Sequence, residues 1–254
     1  MNEAVYGQAD LAFQSNLYQS GNATRRWIHQ RRHEWVIRKL YEYSPGKGML
    51  AFDCGVGCGV YTKQMVKMGV RVVGIDVNQD FVAAAGQIPG VMAYAADICA
   101  PETVPVRNEA GIAVCSEVLE HVPDPDAALK TLYDTLKPGG ILVLTTPQKW
   151  STTELVARLL KVKAIESIAR AIYKEPVEEL GHISLLTQGD LQGRIEATGF
   201  EVVEHEVFAF YLPVIAEFGG EWGQKTLAGL EKVLRKVPFL KWMVWTQAYV
   251  LKKR

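Results

Sequence analysis

The stretch 49–59, MLAFDCGVGCG, decides how the rest of the chain is read. Residues 49–52 are an apolar run of the kind that a short buried strand requires. The run ends on a carboxylate, Asp53, and then breaks into glycines at every second position, Gly55, Gly57 and Gly59. A buried strand that opens into a glycine turn and then a helix brings bare backbone N–H groups up to a ligand. The spacing is not that of the dinucleotide fingerprint G-x-G-x-x-G, whose third small position is Val60 here.

Outward from the turn, residues 60–68 read as a helix closed by Gly69. The segment 70–76, VRVVGID, reads as a second buried strand ending in Asp76. A βαβ unit sets that carboxylate at the carboxyl end of the neighbouring strand, where it can accept both ribose hydroxyl protons of an adenosine ligand. A helix begins near Phe81, and residues 91–98 form a third strand with Asp97 and Ile98 at its end. Residues 112–115 form a strand that must lie beside the first, because the reversal of strand order there opens the cleft. Asp124 opens a helix that ends at Lys137-Pro138-Gly139-Gly140, and residues 141–147, ILVLTTP, are the next strand. The alternation predicts an α/β fold with a doubly wound, Rossmann-like sheet.

An acidic residue before G-x-G-x-G, the segment SEVLEHV (116–122) after a strand and LKPGG (136–140) before another occur together. Over residues 47–147 the combination resembles the class I S-adenosylmethionine-dependent methyltransferases. The resemblance implies a seven-stranded, mostly parallel sheet with an antiparallel last strand and helical cap insertions. It implies S-adenosyl-L-methionine as cofactor, held by Asp53, Gly55, Gly57, Asp76, Val77, Asp97, Ile98 and Ser116. Asp97 would meet the adenine amine and Ile98 would pack on the ring. SEVLEH is similar, more narrowly, to the polyprenol-type O-methyltransferases of ubiquinone synthesis, where Glu-x-x-Glu-His is assigned to a magnesium ion. Carried over, this names Glu117, Glu120 and His121 as candidate ligands; in metal-free relatives the Glu-His pair tethers a loop or lines the site. Two histidines are candidate catalytic bases for a hydroxyl acceptor, His121 and His182. His182 stands in GHISLLT, where binding a loop carbonyl is its other role.

At 254 residues the chain has room for one large domain. The expected layout is an N-terminal helical lid (1–46), a cofactor-binding core (47–147) and cap insertions at 148–186 and 210–242. Residues 24–43 read as a helix rich in arginine, either a solvated helix over the sheet edge or a lid that brings an arginine to an anionic group. Further on, residues 152–173 read as one or two amphipathic helices, 188–198 as a helix, 200–208 as a strand and 246–251 as the last strand. Lys+Arg and Asp+Glu both count 28, so no global field points to nucleic acid. Neither a signal peptide nor a bilayer-spanning run is read. The four cysteines, Cys54, Cys58, Cys99 and Cys115, form no C-x-x-C pair, and reduced thiols suit a cytoplasmic protein.

Methyl transfer to a small, apolar acceptor, on oxygen before nitrogen or carbon, is the expected function. A sulfonium cofactor is already activated, so placement carries most of the catalysis and no obvious catalytic pair is needed. A nicotinamide-dependent oxidoreductase shares the sheet and Asp76 but fails on Val60, on Asp53 and on the missing Tyr-x-x-x-Lys. A catalytically idle binding module is the third class. Residues 230–251 interleave Lys232, Arg235, Lys236 and Lys241 with Val233, Leu234, Phe239, Leu240, Trp242 and Trp245. That mixture suits an apolar tunnel with a cationic rim, or peripheral contact with an anionic lipid surface; otherwise the tryptophans are core.

Overall fold

The computed structural model describes residues 20–44, 46–160 and 182–254. Its centre is a seven-stranded sheet: β1 Leu50–Cys54, β2 Arg71–Asp76, β3 Val91–Ala95, β4 Ala110–Ser116, β5 Leu136–Pro147, β6 Phe200–Phe208 and β7 Thr246–Lys253. The strand order is β3-β2-β1-β4-β5-β7-β6. Strands β1 to β5 pair in parallel, and β7 runs antiparallel to both of its neighbours. Order reverses between β1 and β4, so the crevice opens at their carboxyl ends.

Period-two burial builds the two layers. Phe52, Cys54, Val73, Ile75, Ala113, Cys115, Leu142, Leu144, Tyr249 and Leu251 face one way. They meet Ala128, Leu129 and Leu132 of helix α4 (Pro125–Thr135) and Leu191 and Ile195 of α6 (Gln188–Thr198). The alternate residues Ala51, Val72, Ile112, Val114, Val143, Ala248 and Val250 face the other way. Over them lie α1 (Ala23–Glu42), α2 (Val60–Lys67), α7 (Pro213–Phe218) and α8 (Gly220–Leu234). Helix α3 (Gln79–Gly86) closes the β2–β3 side through Phe81 and Ala85, and α5 (Thr152–Leu160) follows β5. The remainder of the helical reading for residues 152–173 lies outside the described residues, as do residues 1–19.

Three boundaries differ from the sequence expectation, each for a local reason. Strand β3 stops at Ala95, because Asp97 turns its own chain: its Oδ1 accepts the Cys99 N–H at 2.8 Å. Strand β5 begins at Leu136, before the LKPGG glycines, since Leu136 pairs with Ala110 across an irregularity that shifts the register by Ile112. Helix α1 is not a solvated face. Its cations meet acids of other elements: Arg25 with Glu217, Arg31 with Glu231, Arg32 with Glu117, Arg38 with Glu206 and Lys39 with Glu204. Among the described residues, no helix is long and apolar enough to cross a membrane.

Candidate active site

The glycine turn is held open by its neighbours. Gly55, Gly57 and Gly59 all have positive φ, at 77°, 46° and 75°. The Gly55 and Val56 N–H groups donate to the Ile75 carbonyl, at 2.9 and 3.0 Å, which clamps the turn to β2. A methyl group on Gly55 would lie 2.4 Å from Val118 Cγ2, so the turn also packs against the loop after β4. Asp76, at the tip of β2, accepts the Gly57 N–H on Oδ2 and the Asn78 N–H on Oδ1, both at 3.0 Å. Burial pushes its carboxyl up, and these backbone donors oppose the rise.

Asp53 faces the other side of β1 and is 1% exposed. The Thr62 hydroxyl, in the first turn of α2, donates to its Oδ2, while Oδ1 is buried without a hydrogen-bond partner. Burial raises the carboxyl to about 7; Thr62 pulls it down and Asp76 adds to the rise. A buried acid with one unsatisfied oxygen beside a glycine turn is suited to a cationic or hydrogen-donating ligand group.

The other cofactor candidates also sit at the carboxyl edge. Val77 is 69% exposed beyond β2, Asp97 is half-buried, and Ser116 ends β4. Ile98 is buried within the main core cluster. Ser116 Oγ lies 2.8 Å from Thr145 Oγ1 and donates to the Tyr61 hydroxyl at 3.3 Å.

Beyond Ser116 the chain turns sharply, with Glu117 in the left-handed region at φ 56°. Its carboxylate faces Arg32 Nη1 at 2.7 Å and accepts the Thr145 hydroxyl proton at 3.0 Å. Arg32 also meets His29 Nδ1 at 3.2 Å. Burial, then Arg32 and Arg25, lowers that imidazole to about 3, so it is neutral and can accept from the guanidinium. Glu120 is 1% exposed and accepts from Thr146 Oγ1 at 2.9 Å. Burial, reinforced by Glu117, holds its carboxyl well above the ordinary range. The His121 and His182 rings meet edge-on with centroids 5.1 Å apart, and Glu154 Oε1 lies 3.1 Å from His182 Nδ1.

The structure therefore brings Glu120, His121 and His182 to one point and takes Glu117 elsewhere. Magnesium on Glu117, Glu120 and His121 does not fit this arrangement, because Glu117 is committed to Arg32 and Thr145. Sequence reasoning did not single out Thr62, Arg32, Thr145, Thr146, Val118 or Glu154. Thr62 lies nine residues past Asp53, in the helix that leaves the turn, which was a usable signal. Glu154 had none, since only the fold brings it to His182.

A family model described as a methyltransferase domain matches residues 27–205. The ubiquinone biosynthesis O-methyltransferase of Paraburkholderia phymatum is 28% identical over 193 residues, 74% of this chain and 78% of that one. Among solved structures, the magnesium protoporphyrin IX methyltransferase of Synechocystis PCC 6803 superposes with TM-score 0.63 at 15% identity, covering 97% of this chain and 94% of that one. The [4+2]-cyclase SpnF superposes with TM-score 0.57 at 18% identity, covering 92% and 84%. Likeness at that identity is a likeness of fold, and the fold alone does not select the chemistry. The family match does so at the level of the reaction: the chain belongs to the methyltransferase-domain family and is a class I S-adenosylmethionine-dependent methyltransferase.

Proposed function

We propose that the enzyme moves the sulfonium methyl of S-adenosylmethionine to a hydroxyl oxygen of a small, largely apolar acceptor. The observation that carries this reading is the His121–His182 pair with Glu154 behind it, on the loops that follow β4 and β5. A hydroxyl is a poor nucleophile until its proton is removed, and ring nitrogens at the acceptor end can take that proton. The bacterial relative, an O-methyltransferase by name, supports oxygen over nitrogen or carbon.

In this reading Asp76 accepts from the ribose hydroxyls, Asp97 meets the adenine amine, and Val77 and Ile98 flank the base. The glycine turn and Asp53 receive the amino-acid end, and Ser116 lies near the sulfonium. Positioning then supplies most of the rate, as in-line placement of a preactivated methyl requires. A screen of acceptor pools with methyl-labelled cofactor tests it. Phenolic or alcoholic acceptors should be labelled, and His182→Ala should cut turnover at least tenfold with S-adenosylhomocysteine affinity unchanged. Label found only on nitrogen or carbon would overturn the oxygen assignment.

A second feature favours delivery of the acceptor at a membrane surface. Helix α8 carries Trp222, Leu230 and Val233 outward, 69%, 43% and 60% exposed, with exposed Lys225 and Lys232 alongside. Apolar groups flanked by cations suit an anionic lipid interface.

A further inference from the structure

Asp53 stands where the first strand opens into the glycine turn, and it is buried like the apolar residues before it. It is 1% exposed; the Thr62 hydroxyl donates to Oδ2, and Oδ1 has no hydrogen-bond partner. One carboxylate oxygen is therefore left over beside the turn that presents its backbone to a ligand.

The surrounding elements supply no opposite charge. Helix α2 offers the neutral Thr62, while its Lys63 is exposed and donates to the Cys58 carbonyl at 3.2 Å. Strand β2 brings a second acid, Asp76, and β4 sets Val114 opposite Asp53 in register. The Cys54 thiol, next in β1, faces the other layer with Cys115. On α1, Arg32 is held by Glu117 at 2.7 Å, and burial keeps the His29 and His33 rings below the usual imidazole value. A carboxylate buried among such groups takes up a proton rather than carry an uncompensated charge. Burial, with Asp76 adding to it against the pull of Thr62, accordingly lifts the Asp53 carboxyl to about 7.

We propose that binding of the cofactor's amino-acid end drives a proton off Asp53, so that cofactor affinity is linked to pH. The incoming ammonium group donates to Oδ1 and supplies the missing charge, and the displaced proton passes to solvent. This rests on the reading that the glycine turn and Asp53 receive the amino-acid end. The ligand prefers the ionised acid, so affinity is level above pH 7 and falls about tenfold per pH unit below it. Ligand-free protein has the opposite slope, because the neutral acid suits the empty site. The cofactor therefore stabilises most in the range where the free protein weakens. Adenosyl thioethers without an ammonium group gain nothing from the ionised acid, so discrimination against them sharpens as the pH rises.

Calorimetric titration of the full chain with S-adenosylhomocysteine, in buffers of different ionisation enthalpy, counts the protons released. About one proton per ligand should leave at roughly pH 5.5 and less than half of one at roughly pH 7.5, with affinity rising up to a bend near pH 7. Asp53→Asn, a neutral isostere, should bind more weakly, with neither slope nor proton release. Thr62→Val removes a hydroxyl that favours the carboxylate and should move the bend to higher pH. Near-ultraviolet dichroism establishes that both variants are folded. Methylthioadenosine has the ribose but no amino group, and its affinity should stay level. A slope shared by methylthioadenosine would put the proton on Asp76 and overturn the proposal. A level S-adenosylhomocysteine profile would overturn it too, as would an Asp53→Asn profile parallel to the wild type. Absence of S-adenosylhomocysteine binding at every pH would defeat the cofactor reading and this proposal with it, so the two failures are told apart.

Discussion

Arg32 Nη1 on α1 lies 2.7 Å from Glu117 Oε2 on the turn after β4, joining residues 85 apart in sequence. The contact ties the helix over one face of the sheet to the loop that borders the crevice. Glu117 sits there with left-handed backbone, and strain of that kind persists only where surrounding contacts fix it. Arg32 is 7% exposed, so its charge depends on this carboxylate and on neutral His29.

Removing only one partner should therefore cost more than removing both. Arg32→Met leaves Glu117 beside buried Glu120 without its cation, and should destabilise the protein by about 2 kcal/mol, below the fully buried range because the Glu117 side chain is 20% exposed. The double variant Arg32→Met/Glu117→Gln should recover at least half of that in urea unfolding. Equal losses in the single and double variants would mean that the pair is not the source.

Asp53 makes stability fall with rising pH. Its folded value is about 7, above the ordinary value of 3.8, so its contribution is fully present below pH 3.8 and is lost as the pH rises through 7. The full span is about 4 kcal/mol on the scale of 1.36 kcal/mol per pH unit. Urea midpoints of ligand-free protein should drop between pH 5 and 7.5, and Asp53→Asn should flatten that part of the curve. A variant curve parallel to the wild type would remove Asp53 as the cause.

The core of the fold was legible because its signals are local. Strand residues 70–76 and the helix 188–198 stand within a residue of their expected places, since burial period and capping fix them without distant help. Asp53 and Asp76 stand at the carboxyl edge of the sheet, where the strand ends put them. The convergence of Glu120, His121 and His182 was not legible, because Ile183 and Ser184 bring His182 to Glu120 through backbone bonds across about 60 residues and Glu154 joins them from α5. Of the two readings of helix α1, the solvated face fails for the same reason: Arg31 looks solvated in the sequence, yet its partner Glu231 lies 200 residues on.

Gly55 cannot carry a side chain without two separate losses. Its φ of 77° is costly for an L-residue, by about 1–2 kcal/mol, and an added methyl would meet Val118 Cγ2 at 2.4 Å. Gly55→Ala should lower both melting temperature and cofactor affinity. Adding Val118→Ala should restore part of the stability by relieving the clash and leave the backbone strain. Unchanged affinity in folded Gly55→Ala would detach this turn from the cofactor.

Asp76→Ala should weaken S-adenosylhomocysteine binding by about 1.5–3 kcal/mol, the worth of charge-assisted bonds to the ribose hydroxyls. Part of the loss comes through the turn, since Asp76 also receives the Gly57 and Asn78 N–H groups. Calorimetry on folded protein decides it, and an unaltered dissociation constant would refute the assignment.

The outward face of α8 should bind anionic vesicles. Trp222, Thr226, Leu230 and Val233 follow spacings of four, four and three, so they lie along one line of the helix. Phe218, 71% exposed at the end of α7, extends the apolar surface, and Lys225, Lys232 and Lys236 stand exposed beside it. Trp245, by contrast, is partly buried against the core cluster with its ring edge-on to His29 of α1, while Trp242 is 43% exposed. Insertion of the exposed residues adds apolar burial, while each lysine near the surface adds roughly 1 kcal/mol that fades with salt. Vesicles with a third of anionic lipid should bind the protein at low salt and blue-shift its tryptophan emission; neutral vesicles should not. Trp222→Ala with Val233→Ser should reduce binding at least tenfold and leave S-adenosylhomocysteine affinity intact. No binding to anionic vesicles even at low salt would end the membrane reading and leave a freely diffusing acceptor.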